Sequence, residues 1–201
     1  MKTERIYREL LLRSLAGISR TKQGEIASRC QVSLGLVNKT VKKLEEISAA
    51  EATRKGVRVL SPARLLNLWA TERRLAREIV SAFRIDPLPD ERNIPRSATL
   101  TAFSAWAAIA KRRPAEYSRI YFYIWDRAEF ERWLEFRKSK IRKTNPNIFA
   151  LQADDPHLLQ TSEKGIAPVP QIYVDIYSID GPEAPPYLQD MIKAYPELGL
   201  W

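Results

Sequence analysis

Gly35, Asn38, Lys39, Lys42 and Lys43 lie in a stretch whose apolar residues Leu34, Val37, Val41 and Leu44 recur at helical spacing. At about 100° per residue, Gly35, Lys39 and Lys42 fall opposite that stripe, and Leu36, Asn38 and Lys43 flank them. No acid interrupts this face before Glu45. The chemistry open to it is neutralisation of a polyanion, with Asn38 able to form paired hydrogen bonds and Gly35 permitting close approach. A second basic group follows at Arg54-Lys55-Gly56, with Arg58 just beyond. Candidates for bond-making chemistry are fewer. Asp175 lies within the apolar run Gln171–Tyr177, read here as a strand, where a carboxylate is costly unless paired or at the strand's end. His157 follows Asp154-Asp155-Pro156 and reads as a loop residue; the two acids are neighbours and diverge on an extended chain. Cys30 and His157 cannot complete a four-ligand zinc site. The seven glycines form no phosphate-binding run, and no Gly-x-Ser-x-Gly or His-Glu-x-x-His pattern occurs. The sequence therefore predicts no metal, no cofactor and no enzymatic activity.

The basic residues need elements to position them. Ile6, Leu10, Leu11 and Leu15 define a first helix over Glu4–Leu15, which Gly17 and Ser19 end. Thr21 is placed to cap a short second helix from about Lys22 to Arg29. Ser33 caps the third, Leu34–Glu46, which carries the lysines. Two β-prone runs, Ala49–Thr53 and Val57–Leu60, flank the Arg54-Lys55-Gly56 turn and predict a basic hairpin. Helix, helix, turn, helix, hairpin is the order of a winged helix-turn-helix. In that arrangement the third helix enters the major groove of double-stranded DNA and the hairpin touches the backbone beside it. Lys39, Lys42, Lys43, Arg54, Lys55 and Arg58 would then neutralise phosphates. Asn38 suits adenine, and Lys39 or Lys43 guanine. Thr21 and Ser33, at the helix starts, complete the expected DNA-binding set with Gly35, Ser33 donating to a phosphate. The rival account of each part is a solvated helix face and an ordinary hairpin turn.

The charge distribution agrees with this order. Of a net +9, residues 1–83 hold 17 Lys and Arg against 8 Asp and Glu, while residues 84–201 hold 16 of each. That asymmetry points one domain at a polyanion and leaves the other neutral. Ser61-Pro62 opens a connector helix, expected to run to about Phe83. Asp86-Pro87-Leu88-Pro89-Asp90 breaks any helix and marks the boundary. The predicted domains are 1–83 and 84–201. An apolar share of 45% fits a folded chain, and one Cys excludes an internal disulfide framework. No stretch approaches the ~18 apolar residues of a membrane span, and Arg13 interrupts the Leu10-Leu11-Leu12 cluster. The expectation is a cytoplasmic protein without a membrane partner.

Residues 84–201 read as alternating elements: a helix over Ser97–Lys111, a strand over Arg119–Trp125, and a helix from Asp126 to about Lys138. A strand over Asn147–Ala153, a third within Ile166–Ile179 and a last helix from Pro185 to Tyr195 follow. With the N-terminal part, the fold class is α+β.

The run Leu100-Thr101-Ala102-Phe103-Ser104-Ala105-Trp106, the Tyr-rich strand, and Pro168-Val169-Pro170-Gln171-Ile172-Tyr173-Val174-Asp175-Ile176, all behind a winged-helix pattern, resemble the AbiEi-type regulators of type IV toxin–antitoxin systems. The resemblance spans most of the chain through short motifs. It implies an antitoxin-type repressor of its own operon whose second domain is similar to a nucleotidyltransferase fold. Its expected partner is a cognate nucleotidyltransferase-like toxin; because winged regulators often act as dimers on paired half-sites, a second copy on DNA is the other expected partner. The Gly-Ser pair and the Asp-x-Asp pair of active nucleotidyltransferases have no counterpart at Thr101–Ser104 or Arg119–Trp125. Only Asp175 matches, in the third carboxylate position, and one Asp cannot hold two divalent ions. The domain is thus expected to be a degenerate, non-catalytic version of that fold. Two other readings stand beside this one: an enzyme of the same fold with a DNA-targeting module, and a regulator acting through protein–protein contact.

Overall fold

The structure, a computed structural model, describes residues 2–153 and 155–198. Asp154, read above as diverging from its chain neighbour Asp155, lies outside the described residues. The chain is a mixed α+β fold divided into two compact units. The first unit comprises Met1–Arg73 and two later returns of the chain, Asp155–Gln160 and Gln189–Trp201; the second comprises Arg74–Asp154 and Thr161–Leu188.

The first unit begins with α1 (Lys2–Leu15), α2 (Gln23–Cys30) and α3 (Leu34–Glu46). A two-stranded antiparallel hairpin, β1 (Ala50–Thr53) and β2 (Gly56–Val59), and α4 (Pro62–Glu72) follow. α1 stops where Gly17 adopts φ +73, and the Ile18 N–H turns back to the Arg13 carbonyl at 2.9 Å. Ser33 caps α3, its Oγ accepting from Leu36 N at 3.2 Å, and Ser61 caps α4 in the same way. Thr21 does not cap α2. Lys22 holds that position with no side-chain bond, because the Thr21 backbone is paired on both sides with Val57, at 2.9 and 2.8 Å. That pairing brings Thr21 so near Gly56 (φ +125) that a Cβ there would lie 2.7 Å from the Thr21 carbonyl oxygen, so only glycine fits. The core joins Ile6, Leu10, Leu11, Ile26, Val37, Val41, Leu44, Leu65, Leu66 and Trp69, all essentially inaccessible. Leu34, expected to face inward, is 51% exposed. It starts α3 a full turn ahead of the packed stripe, and Thr40 takes the inward place, its hydroxyl bonded to the Leu36 carbonyl.

α4 ends at Glu72, eleven residues short of the expected connector. Arg73 leaves the helix in an extended conformation so that its Nη1 reaches Glu4 Oε2 at 3.0 Å, both side chains buried. The β-branched Ile79 and Val80 then open a strand, β3 (Ile79–Ile85), where helical periodicity predicts more helix.

The second unit is built on a five-stranded mixed sheet. β4 (Thr99–Thr101) runs directly into α5 (Ala102–Ala110), replacing the single expected helix over 97–111. The two threonines pair with Tyr123 and Tyr121, and Ala102 takes φ +54 at the junction, a left-handed conformation that turns strand into helix at one residue. β5 (Ile120–Ile124), α6 (Arg127–Arg137), β6 (Ile141–Arg142) and β7 (Ile148–Gln152) come next, with Asp126 capping α6 through Glu129 N at 2.9 Å. The strand order is β4-β5-β7-β3-β6, with β5 and β7 parallel and the other pairs antiparallel. α7 (Pro156–Thr161), α8 (Val169–Tyr177) and α9 (Ala184–Ala194) complete the chain. One face of β5 packs Ile120 and Phe122 with Phe130 and Trp133 of α6; the alternate residues Tyr121 and Tyr123 turn to α5 and α8.

α8 corrects the expectation of a third strand in 166–179. Pro170 through Ile176 are all buried, and an apolar run buried on every side has no period by which to choose strand or helix. Pro168 at the N-cap and Pro170 in the first turn favour the helix. His157 is likewise no loop residue: it lies in α7 and is 2% exposed.

Candidate nucleic-acid interface

α3 and the hairpin place most of the residues singled out by the sequence. α3 buries Val37, Thr40, Val41 and Leu44 and exposes Gly35, Asn38, Lys39 and Lys42. These four line an open concavity of about 770 Å³ together with Thr3 and Tyr7 of α1 and with Glu46 and Glu72. Lys43 is half-buried and ion-paired with Glu72, whose other oxygen accepts from the Tyr7 hydroxyl at 3.2 Å. Burial, and then the neighbouring Glu72 carboxylate, push the Tyr7 hydroxyl well above its ordinary value, so it stays a donor. Ser33 spends its oxygen lone pair on the cap, which leaves its proton free to donate outward.

At the hairpin, Arg54 and Lys55 form an exposed two-residue tip. Thr53 braces it: its Oγ1 accepts from Lys55 N at 3.2 Å and donates to the Gly56 carbonyl at 3.3 Å. Arg58 is half-exposed and sits 3.1 Å from Glu51, which also receives Arg20 at 2.9 Å. Lys39, Lys42, Arg54 and Lys55 are exposed, with no acid within ion-pair distance among the described residues. Lys22 shares that condition; the Thr21–Val57 pairing fixes it beside β2, a contact that local sequence pattern does not reveal. Thr21 itself is buried with its backbone in that pairing.

The arginines around α1 are consumed internally. Glu9, 1% exposed, receives Arg13 and Arg29 at 2.6 Å and His157 Nε2 at 2.9 Å. Asp155 receives Arg5 at 3.0 Å and Arg8 at 2.9 Å. Arg8 Nη1 also lies 3.1 Å from His157 Nδ1; a guanidinium only donates, so Nδ1 accepts and the ring proton sits on Nε2, facing Glu9. Burial pushes the Glu9 carboxyl up, but the bonds from His157 and Arg13 and the Arg29 charge outweigh it and hold the group down at about 2. The same contest, with Arg8 and Arg5 as the cations, depresses Asp155. Cys30 is buried among these groups, its thiol pushed up to about 12 and donating to the Arg5 carbonyl, so it is no nucleophile at neutral pH.

In the second unit Asp175 is inaccessible and held by neutral donors. Thr101 Oγ1 and Tyr123 Oη donate to its Oδ2 at 2.6 and 2.8 Å, and Gln171 Nε2 to its Oδ1 at 2.9 Å. Among the described residues no group of three or more His, Cys, Asp or Glu is arranged to hold a metal ion. No helix among them is long and apolar enough to cross a membrane. Comparison with known protein families, with curated proteins and with solved structures finds no match to this chain.

Proposed function

We propose that the protein is a DNA-binding transcriptional regulator of the antitoxin-repressor kind, its first unit a winged helix-turn-helix. The supporting observation is the segregation of its cations. Lys39 and Lys42 on α3 and Arg54 and Lys55 at the hairpin tip face solvent without acid partners among the described residues, while Arg5, Arg8, Arg13, Arg29 and Arg73 around α1 are committed to buried or half-buried carboxylates. α3 enters the major groove with Asn38 toward base edges and the hairpin tip rides the adjacent backbone. Lys43 and Arg58, tied to Glu72 and Glu51, contribute less than their sequence positions promise. Two copies on paired half-sites are the expected arrangement for such a module. The second unit acts as a non-catalytic, nucleotidyltransferase-like contact domain for a cognate toxin of that fold. Support for the absence of catalysis is the sealing of Asp175 by Thr101, Tyr123 and Gln171, which use its oxygens in the core.

The test is a salt titration of binding to duplex DNA carrying the upstream region of the gene. Four to five phosphate contacts give a log–log slope near about −4. A slope near zero, or no duplex binding at low salt, overturns the proposal.

A further inference from the structure

We propose that the second unit contains a binding site for a small phosphate monoester with a flat apolar body, in a cleft of about 580 Å³ beside α5. The volume falls in the range of sites for metabolite-sized ligands, roughly 300–1,000 Å³. Ser104, Ala107 and Ala108 line the cleft from one face of α5, at i, i+3 and i+4, and Lys111, the residue that caps the helix end, lines it beside them. The two alanines project nothing beyond Cβ, so with Leu100 and Ile166 they form an apolar floor on which a ring lies flat. Ser104 adds one polar group to that floor. Its side chain is 2% exposed, and its single bond among the described residues is a long one, 3.5 Å to the Thr101 carbonyl. A buried hydroxyl so weakly engaged retains most of its capacity for a ligand.

The mouth supplies the charge. Arg96, Lys111 and Lys164 come from three separate segments and are exposed, with no acid in ion-pair range among the described residues. The cleft's acids are already taken: Asp90 holds Arg92 through two bonds of 2.8 and 2.9 Å, and Glu91 accepts from Tyr117. Arg113 lies over the Tyr117 ring at 5.1 Å, only 3.9 Å from Glu91. Three unneutralised cations around one concavity focus positive potential into it. A phosphate monoester, with close to two negative charges and three acceptor oxygens, satisfies three such donors, whereas a carboxylate has one charge and two oxygens. The site is independent of the DNA-binding reading, since every residue in it belongs to the second unit.

Isothermal titration calorimetry of the full chain with 1-naphthyl phosphate, 1-naphthol and inorganic phosphate tests this. The aryl phosphate should bind in the submillimolar range, at least about tenfold more tightly than either fragment. Lys111→Asn with Lys164→Asn should weaken it about tenfold or more. Asn suits both positions because their φ values of 58° and 51° are left-handed. Ala108→Leu, which fills the floor, should abolish the advantage of the aryl phosphate over inorganic phosphate while leaving inorganic phosphate binding unchanged. Should Ala108→Leu not fold, the double Asn variant and the three-ligand comparison decide alone. Equal affinity for aryl and inorganic phosphate, no heat at millimolar ligand, or undiminished binding by the double Asn variant would overturn the site.

Discussion

Helix α1 carries Arg5, Arg8 and Arg13; helix α3 carries Lys39, Lys42 and Lys43. On a linear count the two are equivalent basic helices of the same unit. In the fold, each α1 arginine is bound to a carboxylate, two of them to Asp155, which the chain brings back from far along the sequence. On α3 only Lys43 has found an acid among the described residues. The residue types suit these fates. A guanidinium is weakly hydrated and offers a fork of donors, so it holds buried carboxylates; an ammonium on a flexible stem keeps its water and suits exposed contact with phosphates. A net charge is therefore no measure of the charge offered to a partner.

The largest expected effect breaks the α1 side. Arg8→Met removes a 2%-exposed cation facing Asp155 and His157 and leaves the carboxylate underpaired. Urea unfolding should show a loss of about 3–5 kcal/mol. A change under about 0.5 kcal/mol would make α1 a solvated face like α3. Acid comes next. Because the Glu9 carboxyl is lowered from 4.5 to about 2, its stabilisation is complete above about pH 5 and lost as pH falls toward 2. The loss is about 3 kcal/mol, and Glu9→Gln should flatten this part of the stability profile. On the α3 side, Lys39→Ala with Lys42→Ala should lower duplex affinity roughly 30-fold at moderate salt while the urea midpoint stays in place. Unchanged affinity would remove α3 from the interface. The smallest effect belongs to the hairpin tip: Arg54→Ala with Lys55→Ala should reduce the salt slope by about 2, with stability shifted by less than about 0.5 kcal/mol.

Elements with a chemical punctuation mark are legible from the sequence. Ser33, Ser61-Pro62 and Asp126 cap helices as expected, and β5 and β7 fall within the predicted strand segments. The misread elements are those where local pattern is ambiguous and long-range pairing decides. β3 and β4 become strands because β7 and β5 lie beside them, and α8 becomes a helix within an apolar run that fits either state. Thr21 shows the same competition on the scale of one residue, its pairing with Val57 displacing a capping role. Of the site, Gly35, Asn38, Lys39, Lys42, Arg54 and Lys55 were readable because helix period and hairpin chemistry alone turn them outward. Lys22 and the commitments of Lys43 and Arg58 were not, since they depend on Val57, Glu72 and Glu51, which local pattern does not bring near.

By itself, then, the sequence determined where positive charge is concentrated, which helix carries it opposite an apolar stripe, and that a basic turn follows. Those follow from composition, from 3.6-residue periodicity and from turn preferences, all local properties. Only the tertiary structure decided which cations remain unspent. Neutralising a charge takes an acid within about 4 Å, and Arg8 meets Asp155 across 147 residues of chain, a distance no local rule spans.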